Sequence, residues 1–332
     1  MSSAIPHDDT PEWRSFYREK VLPFWQQQVS QEQFTSRDGL CIRYVQYRAE
    51  AADAPLVIIS PGRIEACLKY QEVIWQLAQW GCSVAIIDHR GQGQSARMTA
   101  NPHQGHVAKF DDFVQDFADF VGILNETFDA APQLLVGHSM GGAIATLFCA
   151  NHPHRIQQLI LSSPMFAIHT HGIPKPIARA IARFGAWLNH IIARNTPWYF
   201  PGMGDYQPIH FDRNELTHSE ARYNVFRQVY QDNPDVQLGG PTFNWLAEAF
   251  AASDQAVASA SKLTLPVTLV QAGADSVVAA SGQQAFFQRL KGTQNQVITI
   301  DGARHELLME ADYYREPLMQ AIQQAVEKVK AQ

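Results

Sequence analysis

The sequence predicts an α/β protein: a mostly parallel central sheet with helices on both faces and an inserted, mostly helical cap. Three observations predict it. Short β-branched runs alternate with longer helical patterns; one such run passes through a glycine-flanked serine straight into a helix; and about a hundred residues rich in aromatics, Pro and His interrupt the alternation. At 332 residues and 46% hydrophobic content the chain can fill one large core and still carry an insertion.

Residues 1–33 form an N-terminal extension, expected to be helical. It has no apolar stretch of the kind a secretory signal needs, and Asp8, Asp9, Glu12 and Glu19 stand among its few basic residues. No run in the chain approaches the roughly 20 apolar residues of a membrane-spanning helix. The expectation is a cytoplasmic protein, with peripheral contact at the inner face of the cell membrane left open. The first part of the core, residues 34–164, opens on a hairpin. Residues 34–36 and 41–47 flank the Arg37-Asp38-Gly39 turn, and their alternation suits a half-exposed antiparallel edge. Strands follow at 56–59, 83–88, 134–136 and 159–162, with helices near 70–80, 110–128 and 142–151. Residues 165–264 are the cap, because a structureless loop of that length is implausible in a compact domain. The second part of the core, 265–332, resumes with strands around Val267 and Val297, a helix near 282–290 and a terminal helix over 313–330.

Gly137-His138-Ser139-Met140-Gly141 reads G-x-S-x-G between an apolar run and a helix, the context of a nucleophile elbow. Small residues two before and two after Ser139 let the backbone turn so tightly that the serine oxygen projects from the sheet edge. A serine hydroxyl needs an imidazole base, and the base needs a carboxylate to fix its tautomer. In the fold built around such an elbow the order is Ser, acid, His. Asp275, after the strand-like run 266–272, is the candidate acid; His305, after the run 296–300, is the candidate base. Asp301 is the nearest rival acid, and Asp275 has an alternative role as a helix N-cap. Acyl chemistry also needs two preorganised donors for the oxyanion. These are the backbone N–H of Met140 and, in the loop after the strand at 56–59, that of Arg63, which Gly62 lets approach. His138 packs or hydrogen-bonds beneath the elbow.

The cap would cover this site, and its aromatics, Phe166, Trp187 and Trp198 among them, are candidate substrate contacts. Lys175, Arg179, Arg183, His190 and Arg194 fall within about 100° of a helical wheel, and residues 165–204 contain no Asp or Glu. Such a helix suits an anionic lipid surface or, equally, a solvated face. A net charge of −6 with no basic run argues against nucleic acid as a partner. Cys41, Cys67, Cys82 and Cys149 show no paired spacing and read as reduced thiols. No cofactor is implied and no metal, since His103 with His106, and His169 with His171, lack a third ligand.

Several stretches together carry a resemblance: residues 61–65 (PGRIE), 88–95 (DHRGQGQS), 102–106 (PHQGH), 137–142 (GHSMGG), Leu216 to Ser219 with Arg222 and Tyr223, and 239–242 (GGPT). From about Phe34 to Val329 the chain resembles serine α/β-hydrolases of the monoacylglycerol lipase and lysophospholipase group, the peripheral-membrane lysophospholipases of Gram-negative bacteria being the nearest branch. The resemblance implies the α/β-hydrolase fold, Ser139 as nucleophile, Asp275 and His305 as its partners, and Arg63 and Met140 as oxyanion donors. The group's lipases usually show His-Gly where this chain has Pro61-Gly62, which favours lysophospholipid over monoacylglycerol as substrate. Within the fold the alternatives are a monoacylglycerol lipase, carboxylesterase or thioesterase. From another class, a noncatalytic binding protein would typically have lost a triad member, and all three stand here.

Overall fold

The computed structural model describes residues 5–170 and 172–331; His171, one half of a histidine pair noted above, lies outside them. The extension begins as α1 (Pro11–Phe16), passes through one π-helical turn and continues as α2 (Leu22–Gln28). Trp13, Phe16, Tyr17 and Val21 bury one face of it against Trp75. Strands β1 (Ser30–Thr35) and β2 (Cys41–Tyr47) form the expected hairpin, with Gly39 at a φ of 86° in the turn. β1 therefore starts four residues before the anticipated start of the hairpin at Phe34.

Then β3 (Leu56–Ser60), α3 (Gln71–Gln79), β4 (Ser83–Ile87), α4 (Asp111–Thr127), β5 (Gln133–His138), α5 (Met140–Asn151) and β6 (Ile156–Ser162) alternate. Next come α6 (Lys175–Ile192), α7 (Glu220–Asp232) and α8 (Phe243–Ser259), then β7 (Val267–Ala272), α9 (Ala280–Phe287), β8 (Gln296–Ile300) and α10 (Asp312–Lys330). Among the described residues one sheet holds eight strands in the order β1-β2-β4-β3-β5-β6-β7-β8, parallel from β4 onward. Its central strands are buried on both faces, which is why they read as unbroken apolar runs rather than alternating ones. Leu56 and Ile58 face a core shared with α4, α5 and α8. Val57 and Ile59 face another shared with α3, α7 and α10.

The chain order reverses between β3 and β5, the switch point where open α/β sheets bind ligands beyond their strand ends. Their register pairs Ser60 with Gly137, which brings the loop after β3 beside the serine turn.

Two features of the cap differ from expectation. The anticipated boundary at 264 includes α8, yet Trp245, Ala249, Ala252 and Ala256 of α8 belong to the main core. In addition, α6 ends at Ile192, so Arg194 falls off its basic stripe, and Lys175 and Arg179 pair with Asp254 of α8. The buried face of α6 consists of Ala178, Ala182, Gly185 and Asn189. A Cβ on Gly185 would come within 2.2 Å of the Phe243 ring. Small residues let the two helices touch closely, and the large apolar residues of α6 are left facing outward. Among the described residues no helix is long and apolar enough to cross a membrane.

Candidate active site

Ser139 sits at φ 53° and ψ −119°, a backbone conformation that side chains other than glycine rarely adopt. The surroundings enforce it. A Cβ on Gly141 would fall 2.0 Å from the Ser60 carbonyl oxygen, and one on Gly137 would fall 2.8 Å from the Cα of Gly142. The elbow's glycines are therefore required by close approach of strand, turn and helix, and Ser139 N–H closes the turn by donating to Ser162 O.

The three residues predicted from sequence order converge. His305 Nε2 lies 2.9 Å from Ser139 Oγ, and His305 Nδ1 lies 2.7 Å from Asp275 Oδ2. The other carboxylate oxygen, Asp275 Oδ1, accepts from Val277 N–H and Val278 N–H at 2.8 and 2.9 Å. Burial pushes the Asp275 carboxyl up, but His305 and the two amides outweigh it and hold it below the usual range. The N-cap of α9 is Ala279, and the rival Asp301 is exposed. Beneath the elbow His138 Nδ1 bonds to Ser162 O, its ring 5.0 Å from that of His305. Burial lowers its pKa to about 4, so this imidazole is neutral at physiological pH.

The loop after β3 carries Ile64 at a φ of 61° and is gripped from several sides. Glu65 Oε2 accepts from Gly62 N–H at 2.5 Å, and Gln92 Nε2 donates to Gly62 O and Glu65 O. Tyr230 of α7 donates its hydroxyl hydrogen to Ile64 O and accepts from Ala66 N–H. Met140 is the first residue of α5, so its N–H has no partner within the helix. Of these residues Glu65, Gln92 and Tyr230 were not anticipated from the sequence as parts of the site.

The substrate-facing aromatics need correction. Phe166 is turned into the core against Phe286, ring centroids 4.3 Å apart, because Met165 and Phe166 follow the elbow's own packing. Trp187 stands on the outer face of α6, 57% exposed beside Phe184. Trp198 is half-buried at the α6–α8 junction, with its N–H on Asn189 and its carbonyl on Phe243 N–H. Ser139 itself is only 7% exposed.

A carboxylate, an imidazole and a serine in this chain of contacts, at the end of a strained turn and a helix N-terminus, can perform acyl transfer. The sequence profile of the Hydrolase_4 family, described as "Serine aminopeptidase, S33", matches residues 51–312. The chain belongs to this family. Within these serine α/β-hydrolases it is 36% identical over 307 residues to lysophospholipase L2 of Escherichia coli K12, covering 91% of this chain and 88% of that one. It is 24% identical to monoacylglycerol lipase of Mycolicibacterium smegmatis, over 85% of this hydrolase and 92% of the relative. The solved structure of a soluble variant of Saccharomyces cerevisiae monoglyceride lipase superposes with a TM-score of 0.69 at 20% identity, covering 91% of this hydrolase and 94% of that chain.

Proposed function

We propose that this hydrolase cleaves the carboxylic ester of a single-chain lipid, with lysophospholipid the preferred substrate, through an acyl-enzyme on Ser139. The observation that carries the reading is the unbroken contact from Asp275 through His305 to Ser139 Oγ. In the reaction His305 Nε2 takes the Ser139 proton as Oγ attacks the ester carbon. The N–H groups of Arg63 and Met140 receive the developing oxyanion, and the proton passes to the departing glycerol oxygen. Water then repeats the sequence on the acyl-serine and releases the fatty acid. No step calls for a cofactor.

The phospholipid preference rests on Arg63. Glu65 and Asp88, its nearest candidate ion-pair partners in sequence terms, are otherwise engaged: Glu65 with Lys69, and Asp88 with the amides of Cys67 and Gln94. Among the described residues no carboxylate lies within ion-pair distance of Arg63. Its guanidinium donates to Gly239 O and stacks 5.0 Å from the Trp245 ring, and its Nε has no partner. Burial lowers its pKa to about 10, which leaves it cationic at neutral pH. An uncompensated guanidinium one residue beyond Gly62 suits a phosphodiester headgroup.

The outer face of α6 supports peripheral binding to an anionic membrane. Ile177, Phe184, Trp187, Ile191 and Ile192 are each more than half exposed, the exposed Arg183 and His190 flank them, and the helix carries no acidic residue. This is the pattern of a helix lying in a lipid interface.

The test is kcat/KM across a panel: lysophospholipids and monoacylglycerols of one chain length, a soluble short-chain ester, an acyl thioester and an aminoacyl anilide. Lysophospholipid should lead. Preferential cleavage of the anilide would instead make the protein a peptidase, as its family description reads.

A further inference from the structure

We propose that Lys69 is a positioning residue for hydrolysis, its buried ammonium locking the oxyanion loop to the loop that carries His305. This rests on the reading of Ser139 and His305 as nucleophile and base. Lys69 Nζ lies 2.8 Å from Glu65 Oε1 and 2.7 Å from Glu306 Oε1, and all three side chains are almost wholly enclosed. Each anchor adjoins a reacting group. Glu65 uses its other oxygen to hold Gly62 N–H, one residue before the Arg63 amide, and accepts from Tyr70 as well. The same oxygen sits 3.9 Å from Nε2 of His138, the residue before Ser139. Glu306 follows His305 directly, and its N–H donates to Leu216 O. One ammonium thus joins the loop after β3 to the loop that carries His305, two segments remote in sequence.

Two enclosed carboxylates without this cation would repel each other across the interval that must stay fixed. Glu65 is held well below the usual carboxylate range: burial raises it, but Lys69, His138 and Tyr70 together outweigh that. Glu306 is pushed up by burial, which Lys69 only partly offsets, and its Oε2 is buried without a partner. The Phe226 ring of α7 closes the far side, 4.8 Å from the ammonium. The groups facing His305 are therefore Asp275, Ser139, His138 and, beyond them, the Glu65–Lys69–Glu306 cluster.

The experiment measures kcat and KM on a soluble ester for Lys69→Met, Lys69→Arg and Glu306→Gln, with thermal melting as a check on folding. Lys69→Met should lower kcat by about ten- to a hundredfold with KM nearly level, because displacing an oxyanion donor or a base by a fraction of an ångström costs on that order. Lys69→Arg, which keeps the cation, should recover most of the loss. Glu306→Gln leaves the ammonium tied to the oxyanion loop alone, so kcat should fall in the same direction as in Lys69→Met, with KM nearly level. Should Lys69→Met fail to fold, Glu306→Gln decides alone. A folded Lys69→Met with unchanged kcat, or a folded Glu306→Gln with unchanged kcat, overturns the proposal. Turnover by a Ser139→Ala control would show instead that the underlying nucleophile assignment is at fault.

Discussion

Replacing Asp275 by Asn should cost about four orders of magnitude in kcat, and the hydrogen bonds say why. Oδ1 is fixed by two amides, Val277 and Val278 N–H, while Oδ2 alone faces His305. Asparagine will keep its oxygen where the two donors point, which turns its NH2 toward His305 Nδ1. Two donors then meet unless the imidazole moves its proton to Nε2. In that tautomer Nε2–H confronts Ser139 Oγ, 2.9 Å away, and cannot accept the serine proton. Loss of a charge-assisted hydrogen bond accounts for about 1.5–3 kcal/mol. The wrong tautomer must supply the rest of the about 5.5 kcal/mol that a 10⁴-fold loss represents. The assay is kcat on a soluble ester, with Asp301→Asn alongside and circular dichroism to establish folding. Asp275→Asn activity within tenfold of wild type, or a greater loss in Asp301→Asn, would refute the tautomer reasoning.

Arg63→Ala keeps the backbone donor, so kcat/KM should fall about tenfold for lysophospholipid, a loss of about 1.4 kcal/mol, and hold for a monoacylglycerol of the same chain. Equal losses would make Arg63 a support for Gly239 and Trp245 only. His89 and His138 are buried as neutral rings, with pKa values lowered by burial to about 3 and about 4. Their contribution to stability is complete above the unfolded value near 6.5 and drains away as pH falls from there toward the folded values. Two such groups give a slope of about 2.7 kcal/mol per pH unit in the region of pH 6 to 4. Denaturant melts across that range should show it, and His89→Gln should roughly halve it; stability flat down to pH 5 would contradict the burial argument. Phe184→Ser with Trp187→Ser should weaken sedimentation with anionic vesicles at least tenfold while leaving soluble-ester turnover intact, since lipid can then no longer cover the exposed surface of two large aromatics, worth about 1.5–3 kcal/mol. Undiminished binding would remove α6 from the interface.

The sheet was legible because a strand covered on both faces must be a continuous apolar run, as at 56–60 and 83–87. The triad was legible because its order along the chain follows the strand order, and because Gly137 and Gly141 mark a turn no other residue would fit. The cap was legible only as an interruption. On α6 the buried face is made by Ala178, Ala182, Gly185 and Asn189, small and unremarkable as letters. Isoleucines at 177, 181 and 191 point outward as a result. Lys69 was illegible for a different reason: its partner Glu306 comes from the far end of the chain, and in sequence a buried ion pair is indistinguishable from two solvated charges.

The most direct measurement is mass spectrometry of the protein quenched during turnover of a lysophospholipid of known acyl chain. A peptide containing Ser139 should carry that acyl group, and Ser139→Ala protein should carry none while releasing no fatty acid. Fatty acid released in step with headgroup by Ser139→Ala, or an acyl group found only on another residue, would contradict hydrolysis through an acyl-enzyme at this serine.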